Sequence, residues 1–372
     1  MTHHEIASLR LRNQWLSGPA QQVPETVVRR LVAVQSQDYY GARWAVGLRL
    51  QNSSDDVVER AFNEGRILRT HLLRPTWHFV TPPDIRWLLA LAAPRVHALN
   101  RHMYHQLELD RMTLNRATSI VATSLEDGRQ LTRDELRDVL EGEGITTDGQ
   151  RMAYIMMFAE LEAVVCSGPR RGKQFTYALL EERAPTATIL HREESLAELA
   201  RRYFDSRGPA TVHDFAKWSG LRVSDARTGL EMAKSRLSHE ALEGREYWFS
   251  GAEPAGDSAT PTAHLLSIYD EYISSYKNWS AIGSPRDADA LKKLGNALNY
   301  IIVLDGRIVG TWKRAIRKDG VLIEMDMFRP LTDAQGRAVA EAAEEYGAFH
   351  GLPVIMNPKK RAAGAGVVDR VK

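Results

Sequence analysis

Several things are scarce in this sequence, and each scarcity excludes something. There is one cysteine, Cys166, in 372 residues, so neither an internal disulfide nor a cysteine-based zinc site is available. No apolar run approaches the ~18–20 residues that a membrane-spanning helix needs. The N-terminus, Met1-Thr2-His3-His4-Glu5, lacks the basic patch and apolar stretch of a signal peptide. A reducing, cytoplasmic setting is expected. No glycine-rich phosphate loop, Gly-x-Ser-x-Gly elbow or His-Glu-x-x-His motif occurs, which leaves kinase, serine hydrolase and metalloprotease readings without support. Net charge is scarce too. The formal balance is +2, whereas a protein that coats nucleic acid by bulk charge is more basic. Any such site must be a local patch. Lysine is rare, with none before Lys173, and arginine carries most of the positive charge. A GC-rich genome would explain that bias equally well.

What remains is an ordinary globular composition, 44% hydrophobic and 26% charged. At roughly 100–200 residues per domain the length suggests two or three domains. A capping box at Thr2/Glu5 opens a first helix that stops at Gly18-Pro19. A second helix starts at Pro24, with a stripe of Val27, Val28, Leu31 and Val32 whose next position is Gln35. A third is expected from Ser54 to Asn63. Extended stretches follow at Ile67–Leu73 and Thr76–Val80. Three helices and a hairpin are the order of a winged helix. The order recurs from the capping box at Thr132/Glu135, through a helix at 150–162, to a hairpin tipped by Arg170-Arg171-Gly172-Lys173. A third occurrence covers helices at 196–204, 211–218 and 224–237 and a strand-like stretch at 242–249. Gly251–Thr262 reads as a linker. Asp305-Gly306 and Asp319-Gly320 then mark two β-hairpins, and Thr332/Gln335 caps a last helix. The expectation is a helix-rich α+β chain of tandem winged helix-turn-helix units with a C-terminal β-hairpin/sheet region. Its divisions are 1–115, 116–188, 189–260 and 261–372, the last ending in a basic tail.

Gln35-Ser36-Gln37-Asp38 is the first oddity. A buried amide needs hydrogen-bond partners. Positions two apart on a helix diverge by about 200°, so Gln35 and Gln37 can face one cavity only if the helix ends between them. A structural helix end and a functional site both fit. His71 and His78 invite a metal reading but lack a third ligand at suitable spacing; no metal is expected. Arg69 and Arg74 suit phosphate or a local carboxylate. Arg170, Arg171 and Lys173 form a wing tip suited to phosphate, and Lys313, Arg314, Arg317 and Lys318 give the Asp319-Gly320 hairpin a similar basic end. Asp270-Glu271 offers two acids, but adjacent acids on one element do not face the same way.

The chain resembles the AlkZ/YcaQ-like winged-helix DNA glycosylases over nearly its whole length. The resemblance rests on Ala33-Val34-Gln35-Ser36-Gln37-Asp38-Tyr39, Leu73-Arg74-Pro75-Thr76-Trp77-His78-Phe79-Val80, and Cys166 to Gln174. Further matches are Leu265 to Lys277, with Tyr269-Asp270-Glu271-Tyr272, and Val309-Gly310-Thr311-Trp312-Lys313. It implies tandem winged helices around a concave DNA surface. It also implies a catalytic Gln-Φ-Gln motif matched by Gln35 and Gln37, with Ser36 departing from the usual apolar middle residue. The second glutamine points to the AlkZ-like branch, whose members remove N7-alkylated guanines, including bulky natural-product adducts and interstrand crosslinks. The expected partner is double-stranded DNA carrying alkylated purines, met by a nucleoid-associated monomer without cofactor. The expected DNA contacts are the cations above together with Lys277. A non-catalytic winged-helix regulator or damage binder is the alternative. The lack of lysine before Lys173 leaves the Gln35/Gln37 segment without a Schiff-base residue, which favours a monofunctional, water-using enzyme. With few and local phosphate contacts, affinity for duplex DNA should fall with salt. Titrations between about 50 and 200 mM salt should give a log–log slope shallower than the roughly −10 of a protein with many such contacts.

Overall fold

The computed structural model describes residues 1–18, 21–251, 260–284 and 300–358. Most of the expected linker, the residue Pro19 and the basic tail from Lys359 onward lie outside the described residues. Helix α1 (His3–Asn13) carries its capping box as expected, with Glu5 N–H donating to Thr2 Oγ1.

Three times the chain then takes one path. The first unit is α2 (Pro24–Leu31), β1 (Val34–Gln35), α3 (Tyr39–Gly47), α4 (Asp55–Asn63), β2 (Leu68–Leu72) and β3 (Thr76–Val80). Helix α5 (Pro82–Gln106) leads to α6 (Arg111–Leu125), β4 (Leu131–Thr132), α7 (Arg133–Gly142), α8 (Arg151–Leu161), β5 (Val165–Ser167) and β6 (Thr176–Leu179). After the short α9 (Leu180–Arg183) come α10 (Arg192–Arg207), α11 (Val212–Ser219), α12 (Val223–Ala233), β7 (Ser238–Leu242) and β8 (Arg245–Phe249). The strand orders match: β1-β3-β2 in the first sheet and β4-β6-β5 in the second. In the third unit Ala210 alone bridges Trp248 in β8, filling the place of the first strand. Each unit is thus three helices with a short strand after the first helix and a hairpin after the third, the topology of a winged helix.

Two local expectations need correcting. The helix that begins at Pro24 stops at Leu31, and Val32 caps it with φ of 64°, an uncommon conformation for a β-branched residue. Gln35 therefore lies on a strand. A helix missing from the sequence reading is α3, which begins at Tyr39-Tyr40-Gly41. Gly41 is needed inside it because a Cβ there would lie 2.5 Å from the Asp38 carboxylate. Helix α1 stands outside the first unit, and α6 was also unforeseen.

The C-terminal region is one mixed sheet. Strands β9 (Ala263–Leu266), β10 (Tyr300–Leu304), β11 (Arg307–Ile316) and β12 (Val321–Met327) run antiparallel, with α13 (Glu271–Ser274) between β9 and β10. Helix α14 (Asp333–Phe349) returns the chain to β13 (Val354–Pro358), parallel to β12. Both Asp-Gly signals mark hairpins. Asp305 and Gly306 take positive φ values of 48° and 76°, as a tight two-residue hairpin requires. Side chains alternate across the sheet. Ile302, Leu304, Trp312 and Ile323 pack with the first unit and α14, while Ile301, Val303 and Ile308 pack with Ile6 and Leu11 of α1. The first unit and the C-terminal sheet therefore share one apolar core. Burying each Val, Leu or Ile in it contributes about 1.5–3 kcal/mol.

A buried ion pair pins this junction. Arg49, just past α3, forms a two-pronged bond to Asp270 at 2.9 Å in each arm, and neither side chain is exposed. Removing one member strands the other charge. Asp270→Ala should lower stability by about 3–5 kcal/mol, measured by urea unfolding.

Candidate active site

Gln35 sits at the end of β1, opposite His78 on β3. Ser36 N–H still donates to the Trp77 carbonyl at 2.8 Å, and then the strand ends. The next donor on β3, Trp77 N–H, is taken by the Gln37 side-chain oxygen at 3.4 Å. Gln35 Oε1 accepts from Arg74 Nη2 at 3.4 Å, in the β2–β3 turn. The helix ends at Leu31, before both glutamines; Gln35 is the last residue of the strand and Gln37 lies in the bend that follows it. Gln35 is 8% exposed, and Gln37 is exposed.

Behind Gln35 lies a buried carboxylate. Glu271 accepts the Gln35 backbone N–H at 3.0 Å, Arg207 Nη2 at 2.7 Å, Trp218 Nε1 at 2.8 Å and Ser275 Oγ at 3.0 Å. Burial alone would raise its pKa. The Arg207 charge and hydrogen bond, with the Gln35 N–H, overcome that and hold it at about 2. The Arg207 guanidinium also donates to the Ala33 carbonyl at 3.1 Å and lies 4.2 Å from the Trp218 ring centre. Asp270 is committed to Arg49, so the two adjacent acids face different partners and form no catalytic pair. On β3, His78 is fully buried and bonded through Nδ1 to the Thr76 carbonyl. Burial, with Arg74 nearby, pushes it down to about 3, so it is neutral. His71 pairs with Glu160 on α8. His71 lies opposite Trp77 and His78 opposite Thr70, so the two histidines project to opposite faces and form no joint metal site.

The expected DNA contacts divide into two groups. Arg69 is buried and donates to the Ser36 carbonyl at 3.1 and 3.3 Å, over the Trp77 ring at 4.1 Å. Burial pulls its pKa down to about 10, against the Glu160 charge. Arg170, 5% exposed at its side chain, lies 3.7 Å from Glu59, and both Arg69 and Arg170 sit 4.7 Å from the Phe175 ring centre. Arg69 holds the motif from inside, whereas Arg170 packs between Glu59 and the Tyr39 and Phe175 rings. Arg74 is half-buried between Gln35 and α11. Arg314 is half-buried against Tyr300, whose hydroxyl donates to Asp38 at 2.9 Å, which ties the base of the β11–β12 hairpin to the residue after Gln37. Arg171, exposed, pairs with Glu135 at 2.6 Å. Lys173, Lys277, Lys313, Arg317 and Lys318 are exposed.

The family model of AlkZ-like DNA glycosylases matches residues 28–349, a span that runs from within α2 to the end of α14 and takes in the motif strand and every strand of the C-terminal sheet except β13. The chain belongs to the AlkZ-like DNA glycosylase family. An interstrand DNA cross-link repair glycosylase of Streptomyces sahachiroi is 25% identical over 323 residues, covering 83% of this chain and 87% of that protein. The fold agrees with the Streptomyces sahachiroi DNA glycosylase AlkZ at a TM-score of 0.79 and 23% identity, over 96% of this chain and 100% of that one. The chain is thus an enzyme of a DNA-acting family. No described helix is long and apolar enough to cross a membrane.

Sequence reasoning missed Arg207, Trp218 and Lys217, all from the third unit. Lys217 on α11 is open to solvent along part of its side chain, its Nζ is half-buried against the Ser274 carbonyl, and its backbone carbonyl accepts from the same Arg74 that bonds Gln35. The motif's own segment lacks lysine, but the folded site does not. Because the Glu271 carboxyl ionises far below the ordinary value of 4.5, its stabilisation is complete above that pH and is lost as pH falls towards 2. The stability gap between wild type and Glu271→Gln should therefore narrow by about 3 kcal/mol across that window, followed by denaturant melts at stepped pH.

Proposed function

We propose that this DNA glycosylase hydrolyses the N-glycosidic bond of N7-alkylated guanine, bulky adducts and interstrand crosslinks included. Gln35 and Gln37 hold the attacking water. The observation that carries the reading is the pair of side-chain amides where strand β1 ends, Gln35 anchored through Arg74 and the exposed Gln37 bonded to the Trp77 N–H. Alkylation at N7 makes the base cationic, so it departs without strong acid assistance. Positive charge then develops on the sugar, and the protein needs to orient water and stabilise charge more than to transfer protons. A glutamine carbonyl accepts a hydrogen bond from water but is a poor proton acceptor, which suits an already activated leaving group. Each carbonyl has a second lone pair free beyond its bond to Arg74 or Trp77.

Ordinary extrusion of a base costs a few kcal/mol, and a base tied to the opposite strand is sterically hard to extrude at all. The exposure of Gln37 favours attack in an open groove. The S. sahachiroi relative, named for cross-link repair, supports the same substrate class. In this reading the segments 1–115, 116–188 and 189–260 shape the groove, while 261–372 supplies the β11–β12 hairpin that meets the duplex. The exposed cations Arg171, Lys173, Lys277, Lys313, Arg317 and Lys318 contact phosphate, and the protein acts as a monomer in the cytoplasm.

On duplex DNA containing N7-methylguanine, Gln35→Ala and Gln37→Ala should each slow formation of alkali-labile sites on the order of 10²-fold with DNA binding retained. Wild-type rates in both variants would remove the assignment. Alanine at both Arg317 and Lys318 should instead weaken binding to all sequences and reduce the salt slope by about 1 for each lost phosphate contact.

A further inference from the structure

Hydrolysis of the glycosidic bond leaves a deoxyribose whose ring-opened form carries an aldehyde at C1′. The fold ties one lysine, Lys217, to the same groups that hold Gln35. One guanidinium spans the two residues: Arg74 Nη2 donates to Gln35 Oε1 at 3.4 Å, and Arg74 Nη1 to the Lys217 carbonyl at 3.5 Å. The contact between α11 and the β2–β3 turn is tight. Gly220, the left-handed cap of α11 with φ of 72°, would bring a Cβ within 2.5 Å of the Leu73 carbonyl. The other end of Lys217 is held as well. Its Nζ donates to the Ser274 carbonyl, at the end of the same short helix whose Glu271 accepts the Gln35 N–H. Both ends of this lysine are therefore fixed to groups that also hold or flank Gln35.

We propose that Lys217 captures the abasic product as an imine and promotes cleavage of the strand on its 3′ side. The amine nitrogen bonds to C1′, and the aldehyde oxygen leaves as water. The resulting iminium acidifies C2′, whose proton passes to solvent. The C3′–O bond then breaks, with its electron pair leaving on the phosphate. Water hydrolyses the imine and frees the lysine, so no other reactant is needed. Desolvation of the ammonium, followed by the Arg74 charge, brings Lys217 down to about 8, with Glu271 and Asp214 opposing. More of it is therefore in the nucleophilic form near neutrality than for an ordinary lysine. The step extends hydrolytic excision and depends on it in the cell only for its substrate.

The test uses the full chain and duplex DNA in which the abasic site is made beforehand, so failure of excision does not affect it. Incubation with sodium borohydride should yield a covalent protein–DNA adduct, and peptide mass spectrometry should place it on Lys217. Lys217→Arg keeps the charge and length but not the nucleophile. It should lose the adduct while keeping its melting temperature and its affinity for abasic duplex. Gln35→Ala should still form the adduct. No adduct with the wild type would overturn the proposal, as would an undiminished yield in Lys217→Arg or an adduct on another amine such as Lys277 or the Met1 N-terminus.

Discussion

The buried carboxylate of Glu271 is the constraint around which the site is organised. A charge with no solvent must be matched by donors in fixed positions, since an unmatched one costs several kcal/mol. Glu271 finds four such donors, and they come from distant parts of the chain: Gln35 from the first unit, Arg207 and Trp218 from the third, and Ser275 from its own segment. Meeting one acid's requirements therefore sets the first unit, the third unit and the C-terminal segment in register. The strand that ends at Gln35 is a consequence of that requirement as much as of its own propensity.

The second unit supports the same strand from the other side. Glu160 on α8 pairs with His71, whose ring lies 3.9 Å from Trp77, and Arg69 covers Trp77 while donating to the Ser36 carbonyl. The middle residue of the motif is thus held by its backbone. Ser36 is fully buried, its N–H and carbonyl are both bonded, and its hydroxyl is buried without a hydrogen-bond partner. The Asp38–Tyr300–Arg314 chain adds a third support, from the sheet that bears the β11–β12 hairpin. The motif lies where all the units converge, with Gln37 facing solvent.

The helix-turn-hairpin order, the capping boxes at Thr2, Thr132 and Thr332 and both Asp-Gly hairpins were legible in the chain because their causes are local. A cap or a two-residue turn is decided within four residues. The missed elements have non-local causes. Helix α3 begins where Asp38 is held by Tyr300, 262 residues away. The end of α2 at Val32 cannot be inferred from its apolar stripe, since Val32 is buried whether or not the helix continues. Arg69 and Arg170 looked like phosphate ligands because composition cannot tell an exposed guanidinium from one stacked on Phe175.

By itself, then, the sequence determined the local elements and singled out the candidate side chains. Gln35 and Gln37 were visible as a pair, the family resemblance rested on short motifs in order, and the low net charge confined any DNA contact to local patches. Tertiary structure decided which groups share the site. It turned Gln35 onto a strand beside Arg74, packed Arg69 and Arg170 against the Phe175 ring, and set the Lys217 carbonyl against the same arginine that bonds Gln35. The physical reason is range. Caps, turns and periodicity act over a few residues, whereas electrostatic matching of a buried charge and the packing of one unit on another act across hundreds.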